Sequence, residues 1–365
     1  MPLVLVVAMV MAACSGSASS QRTPSAPPIA LATAALPSSR PSPSEVATVS
    51  QTAVQEQCPE PYVTPVASPT LAAGDAPDVA ATPAPAPPIR IAHAIEIPPL
   101  PSPTSARSPA PSPPARRADP TLEGRIRDRL GANASHYAVV IENLGDGRRV
   151  AIDSDRVFYA ASLFKIEVMY EIFRQREVGI LNFGEEYVAS DYYSSFDLGP
   201  HLVAPCARVS VRDLLAAMMS VSDNVAAVML QDRAGAGNVN DAMMALGLGQ
   251  TRLKEDGSLP ATAGDMARLV DAIARGEAVS RDASKEMADL MATEELDDRI
   301  PAELPDGTRV EHKTANWDNA THDAGIVHGK RGTYVMVLMS DMGSGGDDAR
   351  VEADIARIAF DYFEQ

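Results

Sequence analysis

Apolar residues recur at helical spacing in several stretches of the C-terminal two thirds of the chain. Leu122, Ile126 and Leu130 are four residues apart, which predicts an amphipathic helix over residues 121–130. Further helical patterns cover residues 160–176, 211–233, 265–273, 283–291 and 347–363. The hydrophobic pattern therefore predicts a helical middle section and a closing helix.

Strand-like runs flank this helical middle. Residues 136–142 and 149–153 predict two strands joined by a turn at Gly145-Asp146-Gly147. Three more strands are predicted near the C-terminus, over residues 309–316, 324–328 and 334–340. We therefore expect an α/β (α+β) fold, in which both ends of the domain build an antiparallel sheet flanked by helices and the middle forms an all-helical lobe.

The first 119 residues show no such periodicity. Of the 30 prolines, 25 lie at or before Pro120, and Tyr62 is the only Phe, Trp or Tyr in that stretch. A segment of this composition buries too little apolar surface to fold. We predict a disordered tether rich in Pro, Ala and Ser over residues 15–119, followed by a folded domain over residues 120–365.

The extreme N-terminus has the features of an export signal. Residues 3–12 form an apolar run that is too short to span a bilayer, and Ala12-Ala13 precede Cys14. This order is typical of a lipoprotein signal peptide over residues 1–14, with Cys14 as the lipidated residue. The absence of Lys or Arg before the apolar run departs from this pattern. The alternative is an ordinary cleaved secretion signal with an incidental Cys14. We expect an exported protein, lipid-anchored to the outer face of a cell membrane or facing the periplasm.

Charge and cysteine content limit the molecules that the protein is expected to bind. The net charge is −17; residues 1–120 carry 6 Arg against 7 Asp and Glu, a net of −1, which leaves −16 on residues 121–365. Such an acidic domain is a poor partner for nucleic acid.

Cys58 and Cys206 have no neighbours at metal-ligand spacing, so we expect two unpaired thiols, with a disulfide as the less favoured alternative. No metal, no cofactor and a monomeric state are expected.

Candidate chemistry begins at the start of the second predicted helix. Ser162 and Lys165 are three residues apart there, so both side chains point to the same side. A serine hydroxyl becomes a strong nucleophile when a neighbouring base takes its proton, and a neutral lysine can do this. The helix N-terminus also favours a developing oxyanion.

Two later motifs support a catalytic role for Ser162 and Lys165. Ser222-Asp223-Asn224 interrupts helical sequence, and it offers a hydroxyl for proton transfer and an amide to bind a substrate carbonyl. Lys313-Thr314-Ala315 lies in a predicted strand, whose edge can bind an extended substrate. We expect Asp223 to tie its loop together and Lys313 to attract a substrate carboxylate.

In this order the three motifs resemble those of class A β-lactamases and penicillin-binding proteins. The similarity covers residues 121–365. Within that range, residues 209–215 and 322–327 also fit the family pattern. It implies that a β-lactam or related amide acylates Ser162, with Lys165 and Ser222 as catalytic partners. It also implies an oxyanion hole formed by the backbone N–H groups of Ser162 and Asn316. The substrate-binding residues that it implies are Asn224, Lys313, Thr314, Ala315 and Asn316.

Two departures from the family pattern stand out. Ala315 replaces the usual glycine, and its methyl group is expected to tighten the floor of the site. Class A enzymes also carry a loop glutamate that activates the deacylating water. Here residues 251–260 form a shorter loop, with Gly257 roughly at that position. Glu255, or alternatively Asp256, is the candidate replacement, unless both are only solvated loop charges.

Three functions therefore remain open. The first is a β-lactamase that hydrolyses the β-lactam amide, with Glu255 assisting deacylation. The second is a penicillin-binding or peptidase-like serine hydrolase that acts on peptidoglycan peptides or other amides and esters and turns β-lactams over slowly. The third is a non-catalytic lipoprotein that binds cell-wall fragments. The complete set of motifs favours the two enzymes, whose partner would be a small β-lactam or a peptidoglycan-derived substrate.

Overall fold

The structure, a computed structural model, describes residues 58, 97–100, 113–196, 199–343 and 346–365. The predicted signal peptide with Cys14 and most of the predicted tether lie outside these residues. None of the helices within the described ranges is both long enough and apolar enough to cross a membrane.

The observed elements follow the predicted order. The strands are β1 (Arg117–Ala118), β2 (Tyr137–Asn143), β3 (Arg148–Ile152), β4 (Val157–Tyr159), β5 (Glu186–Val188), β6 (Arg208–Ser210), β7 (Pro260–Thr262), β8 (Arg309–Trp317), β9 (Ala320–His328) and β10 (Thr333–Ser340). The helices are α1 (Pro120–Leu130), α2 (Phe164–Glu177), α3 (Asp191–Ser194), α4 (Val211–Ser220), α5 (Asn224–Ala234), α6 (Ala236–Ala245), α7 (Ala263–Arg275), α8 (Arg281–Met291) and α9 (Gly346–Phe363).

A six-stranded sheet combines strands from both ends of the domain, in the order β1-β3-β2-β10-β9-β8. Its pairs are antiparallel except β1–β3, which is parallel. Among the described strands β8 is the last, so its outer edge is open to the helical part of the domain. The predicted α/β fold with an antiparallel sheet is confirmed.

The two faces of this sheet follow the alternation of its side chains. In β2, Tyr137, Val139 and Ile141 pack in one apolar cluster with residues of α1 and α9. The intervening Ala138 and Val140 belong to a larger cluster with residues from α2 and the other middle helices. The sheet is therefore buried on both faces, and the second cluster forms the core of the helical lobe.

In the described part of residues 153–308, the helices are joined by loops and by two short ladders. β4 pairs with β7 and β5 pairs with β6, each over three residues. The prediction of an all-helical lobe was wrong in this respect, because a three-residue strand is too short for its alternation to stand out in the sequence. The β4–β7 ladder matters for function, because it leads directly into the segment that carries Ser162.

Some residues of the predicted tether join the folded unit. Arg117 and Ala118 pair with Arg148 and Arg149 as β1. Cys58 forms a disulfide with Cys206, so the expectation of two unpaired thiols was wrong. Their Cα atoms are 5.2 Å apart, which suits a disulfide. The two cysteines are 148 residues apart in sequence, so spacing alone could not predict that they pair.

Gly325 provides a direct test of the sheet register. It lies opposite His312, and a Cβ at residue 325 would be 2.5 Å from the His312 Cβ and 2.7 Å from the Glu311 carbonyl oxygen. We predict that Gly325→Ala destabilises the fold by about 1–3 kcal/mol, because buried overpacking forces neighbouring backbone to move. Urea unfolding monitored by circular dichroism measures the effect.

Gly124 is the matched control for this substitution. It is exposed in α1, and nothing lies within 4 Å of an added Cβ. Gly124→Ala should stabilise the protein by up to about 1 kcal/mol, because alanine has the higher helix propensity. A Gly325→Ala variant as stable as the wild type would contradict the β8–β9 register.

Candidate active site

Ser162 lies in a single 3₁₀ turn, Ala161–Leu163, between β4 and α2. The turn is held by the β4–β7 ladder and by the Ala160 N–H, which donates to the Leu259 carbonyl oxygen at 2.7 Å. Ala161 has a φ of +45°, in the left-handed region that alanine rarely adopts. Backbone of this kind persists where surrounding structure enforces it, and such positions cluster at functional sites.

A chain of polar contacts connects Ser162 to Lys165. The Oγ atoms of Ser162 and Ser222 lie 3.0 Å apart, and the Ser222 Oγ lies 2.9 Å from the Lys165 Nζ. Lys165 Nζ also contacts the Ser222 carbonyl oxygen at 2.6 Å and Asn224 Oδ1 at 2.8 Å. The first two predicted motifs therefore meet in space as the sequence implied.

The surroundings of Lys165 favour the neutral amine. The residue is completely buried, and this burial, with a smaller effect from Lys313, lowers the pKa of Lys165 well below its usual value. A neutral amine has two N–H donors and one lone pair. The two carbonyl-type oxygens can take both donors, which leaves the lone pair facing the Ser222 hydroxyl.

Asp223 fixes the turn that carries Ser222 and Asn224. Its Oδ1 caps α5 by accepting from the Ala226 N–H at 2.8 Å. Its Oδ2 accepts from the N–H groups of Leu202 and Val203 at 2.7 and 3.0 Å. Asp223 therefore ties two loops together, as expected, and holds Ser222 at a φ of +60°.

Lys313 is buried against an acidic partner that the motifs did not reveal. Its Nζ donates to the Glu294 carboxylate, and both side chains are almost completely buried. Glu294 Oε2 also accepts from the Thr314 N–H at 3.2 Å. Burial lowers the pKa of Lys313, and the Glu294 carboxylate opposes this change. The positive charge of Lys313, which was predicted to attract a substrate carboxylate, is therefore compensated by Glu294.

A second buried cation lies behind Asn316. Arg299 donates to Asn316 Oδ1 and is paired with Asp298 at 3.3 Å and with the fully buried Glu352 at 3.8 Å. The Arg299 side chain is only 2% exposed. Asn316 itself is exposed at the end of β8, beside the 3₁₀ turn of Ser162.

Two buried histidines hold the strands around the site. His312 Nδ1 lies 3.0 Å from Asp323 Oδ1, and its Nε2 lies 3.2 Å from Asp297 Oδ1. Burial alone would lower the pKa of His312, but the attraction of both carboxylates outweighs it and raises the pKa to about 9. His322 is different, since burial lowers its pKa to about 4. Its Nε2 donates to the Tyr159 carbonyl oxygen at 2.9 Å, which fixes β4.

A cavity of about 500 Å³ opens above Ser162, and we refer to it as the Ser162 cavity. Its walls are largely apolar and aromatic, with polar groups near Ser162. It is lined by Tyr159, Ala161, Ser162, Phe164, Tyr192, Phe196, Pro200, Ser220, Val221, Ser222, Asn224, Val228, Gln231, Asp232, Gly257, Leu259, Glu294, Glu295, Leu296, Thr314, Asn316 and Trp317.

The structure brings most of the predicted site residues to this cavity. Ser162, Ser222, Asn224, Thr314 and Asn316 line it, and the two lysines lie directly behind them. Among the residues absent from the motifs are Glu294 and several aromatic side chains of the wall. These residues come from separate segments of the chain, among them β4, α2, α3 and β8, so no motif spacing groups them.

Two predicted residues are not brought to the cavity. Glu255 is exposed in a separate surface hollow shared with its loop neighbours and Asn240, whereas Gly257 and Leu259 are the members of its loop that line the Ser162 cavity. Ala315 is buried, and its methyl group packs in the large apolar cluster of the helical lobe. The methyl group therefore does not form the floor of the site.

This fold and site define a serine hydrolase, and comparison with known proteins identifies its family. Residues 121–363 match the sequence pattern of the β-lactamase enzyme family, so the chain belongs to that family. No curated protein matches the chain.

Solved structures share the fold at low sequence identity. PBP-A is 23% identical with a TM-score of 0.64, and the match covers 69% of this chain and 99% of PBP-A. A mutant of PBP-A is described as an acyl-enzyme complex with penicillin G, with a TM-score of 0.63 at 23% identity and the same coverage. A β-lactamase from Sphaerobacter thermophilus is 23% identical with a TM-score of 0.61, covering 66% of this chain and 96% of that protein.

The pKa values of the histidines predict a pH dependence of stability. Because the pKa of His312 in the folded state is above its ordinary value of 6.5, its contribution is complete below pH 6.5 and is lost as the pH rises through 9. We predict that the free energy of unfolding falls by up to roughly 3 kcal/mol over this range. Urea unfolding at a series of pH values measures it.

The His312→Gln variant should lose this alkaline decrease. His136→Gln is the control, since His136 lies half-exposed at the surface and its loss should leave the decrease in place. An unchanged alkaline slope in His312→Gln would show that the protonated His312 is not its source.

Proposed function

We propose that this protein is an active-site-serine acyl hydrolase that forms an acyl-enzyme on Ser162 with amides or esters, including β-lactams, and releases β-lactam acyl groups slowly. The observation that carries the proposal is the contact chain from Ser162 through Ser222 to a buried Lys165. This is the second of the two enzymatic functions that the sequence left open.

Acylation follows from the arrangement of these three residues. Neutral Lys165 takes the proton of Ser222 as Ser222 takes that of Ser162, and the Ser162 Oγ attacks the substrate carbonyl carbon. The backbone N–H groups of Ser162 and Asn316 are the proposed donors to the resulting oxyanion. Asn316 lies on the open edge strand of the sheet, which supports this assignment.

Collapse of the tetrahedral intermediate uses the same chain in reverse. The protonated Lys165 returns the proton through Ser222 to the leaving nitrogen or oxygen, and the carbon–heteroatom bond breaks. An ester between the acyl group and Ser162 remains. Asn224 is the proposed hydrogen-bond partner of the acyl side of the substrate; its position in the cavity lining, beside Lys165, supports this role.

Slow deacylation is proposed from the loop over residues 251–260. This loop contributes Gly257 and Leu259 to the wall of the Ser162 cavity, and neither side chain can activate water. The carboxylates that line the cavity, Asp232, Glu294 and Glu295, belong to other segments. Glu255 faces a different hollow and is not part of the proposed machinery. The solved penicillin G acyl-enzyme of the PBP-A mutant indicates that such adducts can be stable enough to observe in this fold.

A chromogenic cephalosporin separates the alternatives when colour and intact mass of the full-length protein are followed together. We expect an adduct on Ser162 that outlasts the initial release of colour, followed by slow turnover. Ser162→Ala should form no adduct, because the attacking hydroxyl is missing.

Glu255→Gln is the matched test of the loop. It should leave the adduct lifetime within about twofold of the wild type, because Glu255 is outside the cavity. Fast turnover without an adduct would instead identify an efficient β-lactamase. The absence of both colour and adduct would contradict the acyl-enzyme mechanism.

We further propose that the protein is exported and lipid-anchored through Cys14. The Cys58–Cys206 disulfide supports export, because such bonds persist in oxidising compartments. Expression in a bacterial host with labelled palmitate should label the wild type, and Cys14→Ser should remove the label. An unlabelled wild-type protein would contradict the lipid anchor.

A further inference from the structure

We propose that one side of the Ser162 cavity is an acyl pocket, formed by Tyr159, Gly257, Leu259 and Trp317, that selects acyl donors with a large apolar group, above all an aromatic ring. This inference rests on the proposed acylation of Ser162 and adds the substrate class of that reaction. Trp317 has the main part in the selection, because its ring contacts the acyl group and not the reacting atoms.

Exposed apolar surface is concentrated at this cavity. Tyr159 is 37% exposed and Trp317 is 49% exposed, and their ring centroids lie 6.2 Å apart. Eight large hydrophobic residues are exposed in the described part of the chain, and four of them line the cavity, namely Tyr159, Tyr192, Leu296 and Trp317. Apolar surface that is grouped in this way beside a nucleophile indicates an apolar ligand.

The short loop over residues 251–260 leaves space for such a ligand. Gly257 lines the cavity, and beyond its two chain neighbours no heavy atom lies within 4 Å of the position that a Cβ of this residue would take. Leu259 is held against β4, because its carbonyl oxygen accepts from the Ala160 N–H at 2.7 Å. The loop that brings no water-activating side chain to the cavity therefore leaves open volume near Tyr159, which pairs with Pro260.

This pocket lies on the acyl side of the scissile bond. In the proposed mechanism Ser222 returns the proton to the leaving atom, so the leaving group lies beside Ser222 and Lys165. Lys313 is close enough to Lys165 for its charge to lower the pKa of Lys165. Trp317 is four residues further along β8, about 13 Å from Lys313.

Asn316 fixes the direction in which the acyl group points. It directly precedes Trp317 on β8, and its N–H is a proposed oxyanion donor. A substrate carbonyl bound there has its leaving group towards Lys313, and its acyl group extends towards Trp317 and Tyr159. An aromatic ring on that acyl group would cover the two exposed aromatic side chains.

Two penicillins that differ in one acyl group test the proposal on the full-length protein. Benzylpenicillin carries a phenylacetyl group on its side-chain amide, and 6-acetamidopenicillanic acid carries an acetyl group on the same bicyclic ring system. We expect the second-order rate constant for acylation of Ser162, followed by intact mass, to be about tenfold or more higher for benzylpenicillin, because the larger apolar group fills the pocket. Equal rate constants, or faster acylation by the acetyl compound, would overturn the proposal without any variant.

Trp317→Ala tests the residue responsible. Trp317 is half-exposed at the end of β8, so its removal opens no cavity in the core. Rapid-quench mass spectrometry over a range of concentrations should show a dissociation constant for benzylpenicillin that is raised about tenfold, with the acylation rate within the complex changed less than about threefold. Trp317→Phe should recover most of the binding, because it restores an aromatic face. An unchanged ratio between the two penicillins in Trp317→Ala would contradict the assignment.

Met244→Ala is the matched control. It removes another exposed apolar side chain, one that does not line the cavity. The ratio between the two penicillins should stay within about twofold of the wild-type value. Equal falls of this ratio in Met244→Ala and Trp317→Ala would reject a specific role for Trp317.

The acetyl compound distinguishes failure of this inference from failure of the proposed function. Adducts of both penicillins on Ser162 at equal rates would reject only the acyl pocket. The absence of any adduct would reject the acyl-enzyme mechanism itself. Acylation of Trp317→Ala by the acetyl compound at the wild-type rate would show that this variant has kept its folded site, and a loss confined to benzylpenicillin would then support the pocket.

Discussion

Lys165 lies at the centre of this domain, with its amine enclosed by the carbonyl oxygen of Ser222, the amide oxygen of Asn224 and the Ser222 hydroxyl. A buried amine without partners would cost several kcal/mol, so these contacts are required for folding as well as for chemistry. They fix helix α2 against the turn between α4 and α5. The same contacts hold Ser222 in its left-handed conformation and within reach of Ser162.

The sheet supplies the other wall of the site. β8 is the last strand in the described sheet, and its Lys313 and Thr314 both contact Glu294 from the segment after α8. On β9, the strand that pairs with β8, Asp323 hydrogen-bonds the protonated His312 of β8. The edge strand is thus positioned by compensated charges on both sides, which leaves the cavity beside it with an acidic and aromatic surface.

The parts of this arrangement that follow from local periodicity and from motif spacing were predictable from the amino-acid sequence. The continuous apolar runs of β2 and β10 and the helical patterns of α1 and α9 were sufficient to predict these strands and the helices that cover the sheet. Ser162, Lys165 and Ser222 were predictable as a group, because their motifs occur in the order that resembles a known family, and a serine nucleophile needs a base and a proton relay. The short ladders β4–β7 and β5–β6 were not, because three residues show no measurable periodicity.

The remaining features depend on contacts between segments that are distant in sequence. Glu294 follows α8 without any motif, and only the folded chain places it on Lys313. Cys58 and Cys206 are separated by 148 residues, so their pairing could not be read from spacing. The direction in which Glu255 points depends on the path of its loop, which the sequence does not specify.

The proposed chemistry requires Lys165 to be a neutral base at the pH where the enzyme works. The most direct measurement is NMR of protein labelled with ¹³C at the lysine ε-carbon, with the Lys165 resonance assigned by its loss in Lys165→Met. We expect this resonance to titrate well below the usual lysine value of 10.5, because the amine is buried. A Lys165 that titrates at or above that value would contradict it.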